Sequence, residues 1–285
     1  MNTVFLNGAY LPLDEARISP MDRGFLFGDG IYEVIPAHGG RLVGFAAHMR
    51  RMRDGLEALE IDPGLCAADW RAVAERLITE AGGGNLAVYI QVTRGAYPQR
   101  DHAYPDRPQA TLFAYAFDIP AAPTGEVATA KGLSVSTAED LRWQRCHIKS
   151  TALLGNVLHR RQGQSAGNQE TILYNAAGEL TEAAACNVFV VRDGAVATPP
   201  LDHQKLPGIT RQLLLDILRR HGELPVAERV VHRDELAAVD EVWLTSSSKE
   251  IAPVTAIDGR PVGDGHVGPV WARAQRLYAA HKFDY

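Results

Sequence analysis

A two-domain α+β protein is predicted from three features of the sequence. Some segments repeat apolar residues at helical spacing. Others are short apolar runs closed by Asn, Asp and Gly turn signals. One proline- and alanine-rich stretch divides the chain. With 285 residues and 46% hydrophobic content the chain can bury a large core.

The elements read in order as follows. Thr3–Leu6 and Ala9–Leu11 flank Asn7-Gly8, the strongest short hairpin signal. Arg23-Gly24-Phe25-Leu26-Phe27-Gly28-Asp29-Gly30 reads as a glycine-rich loop feeding a strand over Ile31–Ile35. Phe45, Met49, Met52, Leu56 and Leu59 step by four and three, which is one stripe of a helix. A second helix is expected over Trp70–Ala81, ending at Gly82-Gly83-Gly84. Strands follow at Leu86–Arg94 and Thr111–Phe117, with a long polar and aromatic loop, Gly95 to Pro105, between them. Loops of that length in compact domains are often functional. Asp118–Gly125 is the linker, so the expected division is 1–118, linker 119–125, and 126–285.

In the second half, a strand near Leu133–Ser136 precedes Lys149 and a helix over about Thr151–Gln164. Paired short strands turn at Asn175–Gly178 and at Arg192-Asp193-Gly194. Thr210–His221 reads as a helix with Thr210 as N-cap and Gly222 as stop. Val242-Trp243-Leu244 reads as a buried strand and Val270–Ala280 as a last helix.

Composition narrows the function classes. A net charge of -5, with charges mixed along the chain, gives no basis for a nucleic-acid or acidic-membrane partner. No run reaches the roughly 18 apolar residues of a membrane span, and the start at Met1–Gly8 lacks the pattern of a signal peptide. Cys66, Cys146 and Cys186 show no metal or redox spacing. They read as small buried hydrophobes in a reducing, cytoplasmic setting, and no metal site is expected. Gly28-Asp29-Gly30 lacks the third glycine and the strand–helix frame of a dinucleotide site.

Several residues could carry chemistry, each with a plainer alternative. Lys149, in Ile148-Lys149-Ser150, alone reads as a surface charge. Gly208-Ile209-Thr210 opens a helix whose N–H groups could bind a phosphate, or is an ordinary helix start. Ser246-Ser247-Ser248 offers hydroxyls after a strand, or is a polar loop. Glu182, among small residues, is a candidate site carboxylate or a helix-terminus residue. Arg142, Trp143 and His147 stay open, with Trp143 read as packing.

Together these segments resemble the fold-type IV pyridoxal-phosphate (PLP) enzymes, and among them the D-amino acid aminotransferases. The matching segments, in order, are Asp22-Arg23-Gly24 to Tyr32-Glu33, Gln91–Gly95, Ile148-Lys149-Ser150, Thr181-Glu182 with Asn187-Val188-Phe189, Gly208–Arg211, and Thr245-Ser246-Ser247 with Glu250-Ile251. They cover nearly the whole chain. The resemblance implies a small N-terminal α/β domain with the substrate loop and a larger PLP-binding domain with barrel-like strands. It implies that Lys149 forms the Schiff base with PLP and then moves the proton between substrate and cofactor. Glu182 would face the pyridine nitrogen. Arg51, off the helical stripe, would bind the phosphate with Ile209, Thr210, Ser246 and Ser247. Leu206 would pack on the ring, with Pro207 after it a departure from the family pattern that affects the loop's shape.

For substrate, the resemblance points to a carboxylate trap of Tyr32, Arg100 and His102. Arg100 can grip a carboxylate through two N–H groups, and residues two apart in an extended segment point the same way. This implies ping-pong transfer of the amino group from a D-amino acid such as D-alanine to a 2-oxo acid such as 2-oxoglutarate. Arg100 and His102 would come from the partner subunit of a homodimer. The alternatives of the same fold are R-selective amine transaminases, branched-chain L-amino acid transaminases and, less readily, aminodeoxychorismate lyases. A binding module that merely keeps the fold is the alternative outside enzymes. The joint presence of Lys149 and Glu182 argues against it.

Overall fold

Asn7 and Gly8 both take positive φ, 49° and 90°, which is what a two-residue hairpin turn requires. They join β1 (Thr3–Leu6) to β2 (Ala9–Pro12) in antiparallel register. The computed structural model describes residues 3–222 and 224–285. Met1 and Asn2, where the reading of the N-terminus begins, lie outside the described residues.

The chain divides into two compact units. The first is Met1–Ala121 with Ile148–Leu153 and Tyr285, and the second is Ala122–His147 with Leu154–Asp284. A cut at the linker alone would place Lys149 in the second unit. Its segment groups with the first instead, because its backbone pairs there.

In the first unit, α1 (Arg23–Phe27), β3 (Gly30–His38), β4 (Arg41–Leu42), α2 (Phe45–Ala58), α3 (Ala67–Glu80), β5 (Asn85–Thr93) and β6 (Thr111–Asp118) follow the hairpin. The six strands lie in the order β2-β1-β6-β5-β3-β4. Ile31, Ile35, Val88, Ile90, Val92 and Ala114 form one face, packed with Phe45, Met49, Met52, Leu56, Trp70 and Leu77 from α2 and α3. The opposite face carries Tyr32, Tyr89 and Tyr115 in a row, with ring centroids 5.6 and 5.4 Å apart. This alternation is the period of two expected of a strand.

The Arg23–Gly30 stretch, expected as a loop, contains the short helix α1. The Asp22 side chain accepts from the Gly24 N–H, and Gly28 ends the helix at φ 68°. Gly24 is required here, since a Cβ would come within 2.2 Å of the Thr93 methyl.

In the second unit, β7 (Leu133–Glu139), α4 (Leu154–Ser165), β8 (Glu170–Tyr174), β9 (Leu180–Ala183), β10 (Asn187–Arg192), β11 (Ala195–Thr198), α5 (Ile209–His221), β12 (Val226–Glu228), β13 (Glu241–Ser246), β14 (Glu250–Ile257), β15 (Arg260–Pro261) and α6 (Pro269–His281) succeed one another. The sheet runs β12-β11-β10-β13-β14-β7-β8-β9, with β15 on β14. It curls: the Leu180 N–H donates to the Val231 carbonyl and Glu179 bridges His232, so β9 returns to the chain that follows β12. The inner core is Val135, Ile172, Leu180, Val188, Val190, Val242, Leu244 and Val254. The strands β10 and β13 are buried on their other face as well, where Phe189 stacks on Trp243.

The cap of α5 is Gly208, not the expected Thr210, which is buried in its first turn. The stop at Gly222 is as read, with φ 57°. Cys146 and Cys186 are buried, whereas Cys66 is exposed ahead of α3, a correction to its reading as a buried hydrophobe. Trp143 is 44% exposed and so is not the packing residue expected. No helix among the described residues is long and apolar enough to cross a membrane.

Candidate functional site

Lys149 is placed by main-chain pairing. Its carbonyl accepts from the Tyr32 N–H at 3.0 Å, the Thr151 N–H donates to the Gly30 carbonyl at 2.9 Å, and Ser150 bridges Ile31. The 149–151 segment thus extends along the first residues of β3. The half-buried Lys149 side chain lies with Nζ 4.1 Å from the Tyr32 ring centroid.

Tyr32 points to the aromatic face, so its neighbour Glu33 points to the α2 side. There it is fully buried. Arg51 donates to both of its oxygens, Nε to Oε1 at 2.8 Å and Nη2 to Oε2 at 2.7 Å, and His48 Nδ1 is 2.7 Å from Oε2. Against the penalty of burial, Arg51 and His48 hold the Glu33 carboxyl far below its ordinary range. Burial pushes His48 down more than Glu33 pulls it up. The consistent picture is a neutral imidazole donating to an anion. Arg51, with 9% of its side chain exposed, is therefore fixed in direction by this fork.

The long loop is tied to α1. Arg23 Nη1 donates to the Asp101 and Ala103 carbonyls at 2.5 and 3.2 Å, and Nη2 to the His102 carbonyl at 3.3 Å. Its Nε donates to Asp29 at 2.7 Å, and Asp29 also accepts from Arg94. Despite burial, the two arginines hold Asp29 below the ordinary carboxyl range. Arg100 and His102 both reach the Phe27 ring, at 5.0 and 5.2 Å. Both side chains thus meet the same ring, although the segment bends at 102–103. Tyr32 is not brought to them within one chain: its partners are Tyr89 and Lys149.

The second unit holds the other predicted residues. Glu182, on strand β9 and not at a helix end, is buried. Arg142 Nη1 donates to Oε1 at 2.5 Å, while Asn187 Nδ2 and the Leu206 N–H each donate to Oε2 at 3.0 Å. Burial pushes the Glu182 carboxyl up, against the pull of Arg142. An ionised carboxylate has about four acceptor positions, so one is left. Asn187 Nδ2 also donates to the Leu206 carbonyl at 2.9 Å, and so ties the two together.

Pro207 shapes the loop where the family pattern had suggested another residue. The Gly208 N–H donates to the Leu206 carbonyl at 2.8 Å, closing a tight turn over Pro207 whose fixed φ suits it. Gly208 then starts α5 with no side-chain cap. A Cβ on Gly208 would lie 1.9 Å from Asn187 Oδ1, so only glycine fits. The Ile209 and Thr210 backbones sit in the first turn, and the Thr210 hydroxyl bonds Tyr278.

Thr245 pairs with Asn187 across the sheet, which puts the end of β13 beside this helix start. Among the described residues the buried Thr245 hydroxyl has no hydrogen-bond partner, and the buried Ser246 hydroxyl lies beside the Cys186 thiol. Ser247 is half-buried in the 247–249 turn between β13 and β14. The end of β13 thus lies beside a helix start whose first N–H groups have no side-chain cap.

From the sequence, His48 has no role, Glu33 and Asn187 stand only within matching segments, and Arg142 stays open. Glu33 had a signal, a carboxylate between Ile31 and Ile35 on the buried face of a strand. The Arg142 contact with Glu182 spans 40 residues and had none.

Against known proteins, the family model for amino-transferase class IV matches residues 30–257. D-alanine aminotransferase of Staphylococcus haemolyticus is 37% identical over 279 residues, covering 96% of each chain. That of Listeria monocytogenes is 34% identical over 277 residues, 96% of this chain and 94% of its own. The branched-chain amino acid aminotransferase structure of Escherichia coli superposes with a TM-score of 0.90 at 23% identity, over 98% of this chain and 94% of that one. The structural likeness establishes the fold, and the sequence matches establish more: the chain belongs to the class IV aminotransferase family.

Proposed function

We propose that this protein is a PLP-dependent aminotransferase that moves the amino group of a D-amino acid such as D-alanine to a 2-oxo acid by a ping-pong mechanism. The observation that carries it is the buried Glu182 carboxylate, which has three donors and one acceptor position left. The fit to PLP is also supported by the uncapped α5 start and the buried hydroxyls at the end of β13, which suit a phosphate. The relatives at 34 and 37% identity, named as D-alanine aminotransferases, support the choice of substrate.

When bound, PLP supplies an electron sink for the charge left on the substrate Cα. Lys149 would be its covalent anchor and the base that moves the proton from the substrate Cα to the cofactor's C4′ and, in the second half-reaction, back. Glu182 accepts the ring N–H and holds that proton in place. The Ile209 and Thr210 backbones, the Ser246 and Ser247 hydroxyls and Arg51 bind the phosphate, with Arg51 aimed by Glu33. Leu206 gives the ring an apolar neighbour. Tyr32, Arg100 and His102 bind the substrate carboxylate.

The gathering of Arg100 and His102 on Phe27, with Tyr32 beside Lys149, supports a trap assembled from two chains and so a homodimer as the active unit. The exposed Leu154, Val157 and Leu158 of α4 form an apolar stripe suited to burial in such a dimer. Three free cysteines fit a reducing cytoplasm.

The test is the visible spectrum of protein purified with PLP, with D-alanine, L-alanine, L-leucine and a chiral aryl amine as separate donors. Conversion of the cofactor band by D-alanine alone is expected. A response confined to an L-amino acid or to the amine overturns the substrate class, and no cofactor band overturns the role of Lys149. Arg100→Ala should lose most of its rate with D-alanine, and an active monomer would refute the dimer.

A further inference from the structure

Arg142 is a buried cation held so as to shape one carboxylate. Its Nε and Nη2 donate to the two oxygens of Asp140 at 2.9 and 2.7 Å, and its own N–H donates to the same side chain at 3.1 Å. Its Nη2 also reaches the Gln204 carbonyl at 3.2 Å. Asp140 is held in turn by the Thr181 hydroxyl at 2.7 Å. That leaves Nη1, which meets Glu182 Oε1 at 2.5 Å. Only 2% of the Arg142 side chain is exposed. A guanidinium clamped on one edge by a carboxylate has its remaining edge fixed in direction.

We propose that Arg142, clamped by Asp140, is a positioning residue that turns Glu182 so that its one remaining acceptor position receives the cofactor's ring N–H. The proposal rests on the PLP reading above. The charge count supports it. Asp140 is held ionised by Arg142, whereas burial pushes the Glu182 carboxyl up, so keeping Glu182 ionised in this dry site calls for positive charge beyond the single Arg142. Among the neighbours that face them, the Cys146 thiol is pushed up by burial to about 11 and stays neutral. Burial pushes the His159 imidazole down, and its Nε2 accepts from the Leu141 N–H. Asp202 is matched by Lys205 at 2.7 Å. The cluster is thus one positive charge short, and a protonated ring nitrogen on Glu182 supplies it. Without Arg142, Glu182 would lose both its orientation and the cation that opposes its burial penalty.

The test compares two ligands that differ only at the ring nitrogen: PLP and 1-deaza-PLP, which carries a carbon there. Apoenzymes of the wild type, Arg142→Met, Arg142→Lys, Asp140→Asn and Glu182→Gln are titrated with each, and the ratio of the two dissociation constants is read. A charge-assisted hydrogen bond in a buried site corresponds to roughly tenfold or more in that ratio. The wild type should prefer PLP by that factor. Arg142→Met should bring the ratio toward one, as Glu182→Gln does, with Arg142→Lys and Asp140→Asn between. If Arg142→Met weakens both ligands equally, its role is packing and the proposal is overturned. Should Arg142→Met not fold, the Arg142→Lys and Asp140→Asn ratios decide: unchanged preference in both refutes it. A wild type that binds both ligands equally removes the Glu182 role itself, and the PLP reading of that residue fails before the Arg142 question arises.

Discussion

Replacing Glu33 with glutamine keeps the shape of a fully buried side chain and removes its charge. The native carboxylate takes two bonds from Arg51 and one from His48, all between 2.7 and 2.8 Å. A glutamine must turn its NH2 toward one of these donors, and Arg51 becomes a cation with little solvent. Breaking one side of such a pair costs about 3–5 kcal/mol; the residual carbonyl contact puts the expectation near ~3 kcal/mol, more than a hundredfold in the folding constant. Equilibrium urea unfolding at pH 7 measures it. The pH dependence gives a second check. The Glu33 pKa is depressed by folding, so its stabilisation is complete above the ordinary carboxyl value of about 4.3 and fades as pH falls below it. The gap between wild type and variant should therefore narrow in acid. His48 is also depressed, so the unfolded chain gains a proton first, and stability begins to fall below about pH 6.5. Glu33→Gln with Arg51→Met should recover part of the loss, since the pair then carries no buried charge. A cost under about 1 kcal/mol at pH 7, or a gap that widens as pH falls, refutes the reasoning.

Gly208→Ala forces Asn187 away, because the new Cβ would stand 1.9 Å from its Oδ1. Losing the Asn187 bonds to Glu182 and Leu206 should weaken PLP retention by roughly tenfold, read by titrating the apoenzyme; unchanged affinity would show that Asn187 does not set this corner. Arg23→Met removes three bonds to the Asp101, His102 and Ala103 carbonyls. The expected result is faster trypsin cleavage after Arg100 and a KM for D-alanine raised more than kcat is lowered. Equal cleavage rates in variant and wild type would mean that the loop is held by Phe27 and by Arg94, whose guanidinium lies 3.5 Å from the Tyr104 ring centroid, instead.

Local signals in the sequence are reliable where one residue type answers one local demand. Asn7-Gly8 supplies two positive φ angles, and Gly222 ends α5 for the same reason. The α2 stripe is as read, because Phe45, Met49, Met52 and Leu56 pack on β3. The sequence misleads where a distant neighbour chooses the residue. The glycines of 23–30 read as a loop, yet Gly24 is there to clear Thr93 and Gly28 to end a five-residue helix too short to show periodicity. Thr210 looks like a cap by propensity, but Asn187 leaves room only for Gly208. His48 lies next to the stripe residue Met49 and carries no sequence signal of its own. Its role is visible only once Glu33 arrives from a strand 15 residues away.

The same logic explains why the lysine could be named from a motif but not placed from a pattern. Six residues, Ile148–Leu153, leave the second unit in sequence yet pair with β3 of the first. No period of two or 3.6 marks such a segment. What it achieves is a fixed main chain with a loosely held side chain. Lys149 is pinned at its carbonyl by Tyr32 and flanked by the Thr151 bond to Gly30, whereas its amine rests on the Tyr32 ring. Among the described residues it forms no ion pair with a carboxylate. A buried ion pair would cost several kcal/mol to break, while a cation–π contact is worth about 0.5–2 kcal/mol. In the proposed reaction, an amine that holds a cofactor, releases it and carries a proton at each turnover is better served by the weaker partner. Tyr32 thereby has two uses in the proposed reaction, a resting place for the amine of Lys149 and, through its hydroxyl, a donor to the substrate carboxylate.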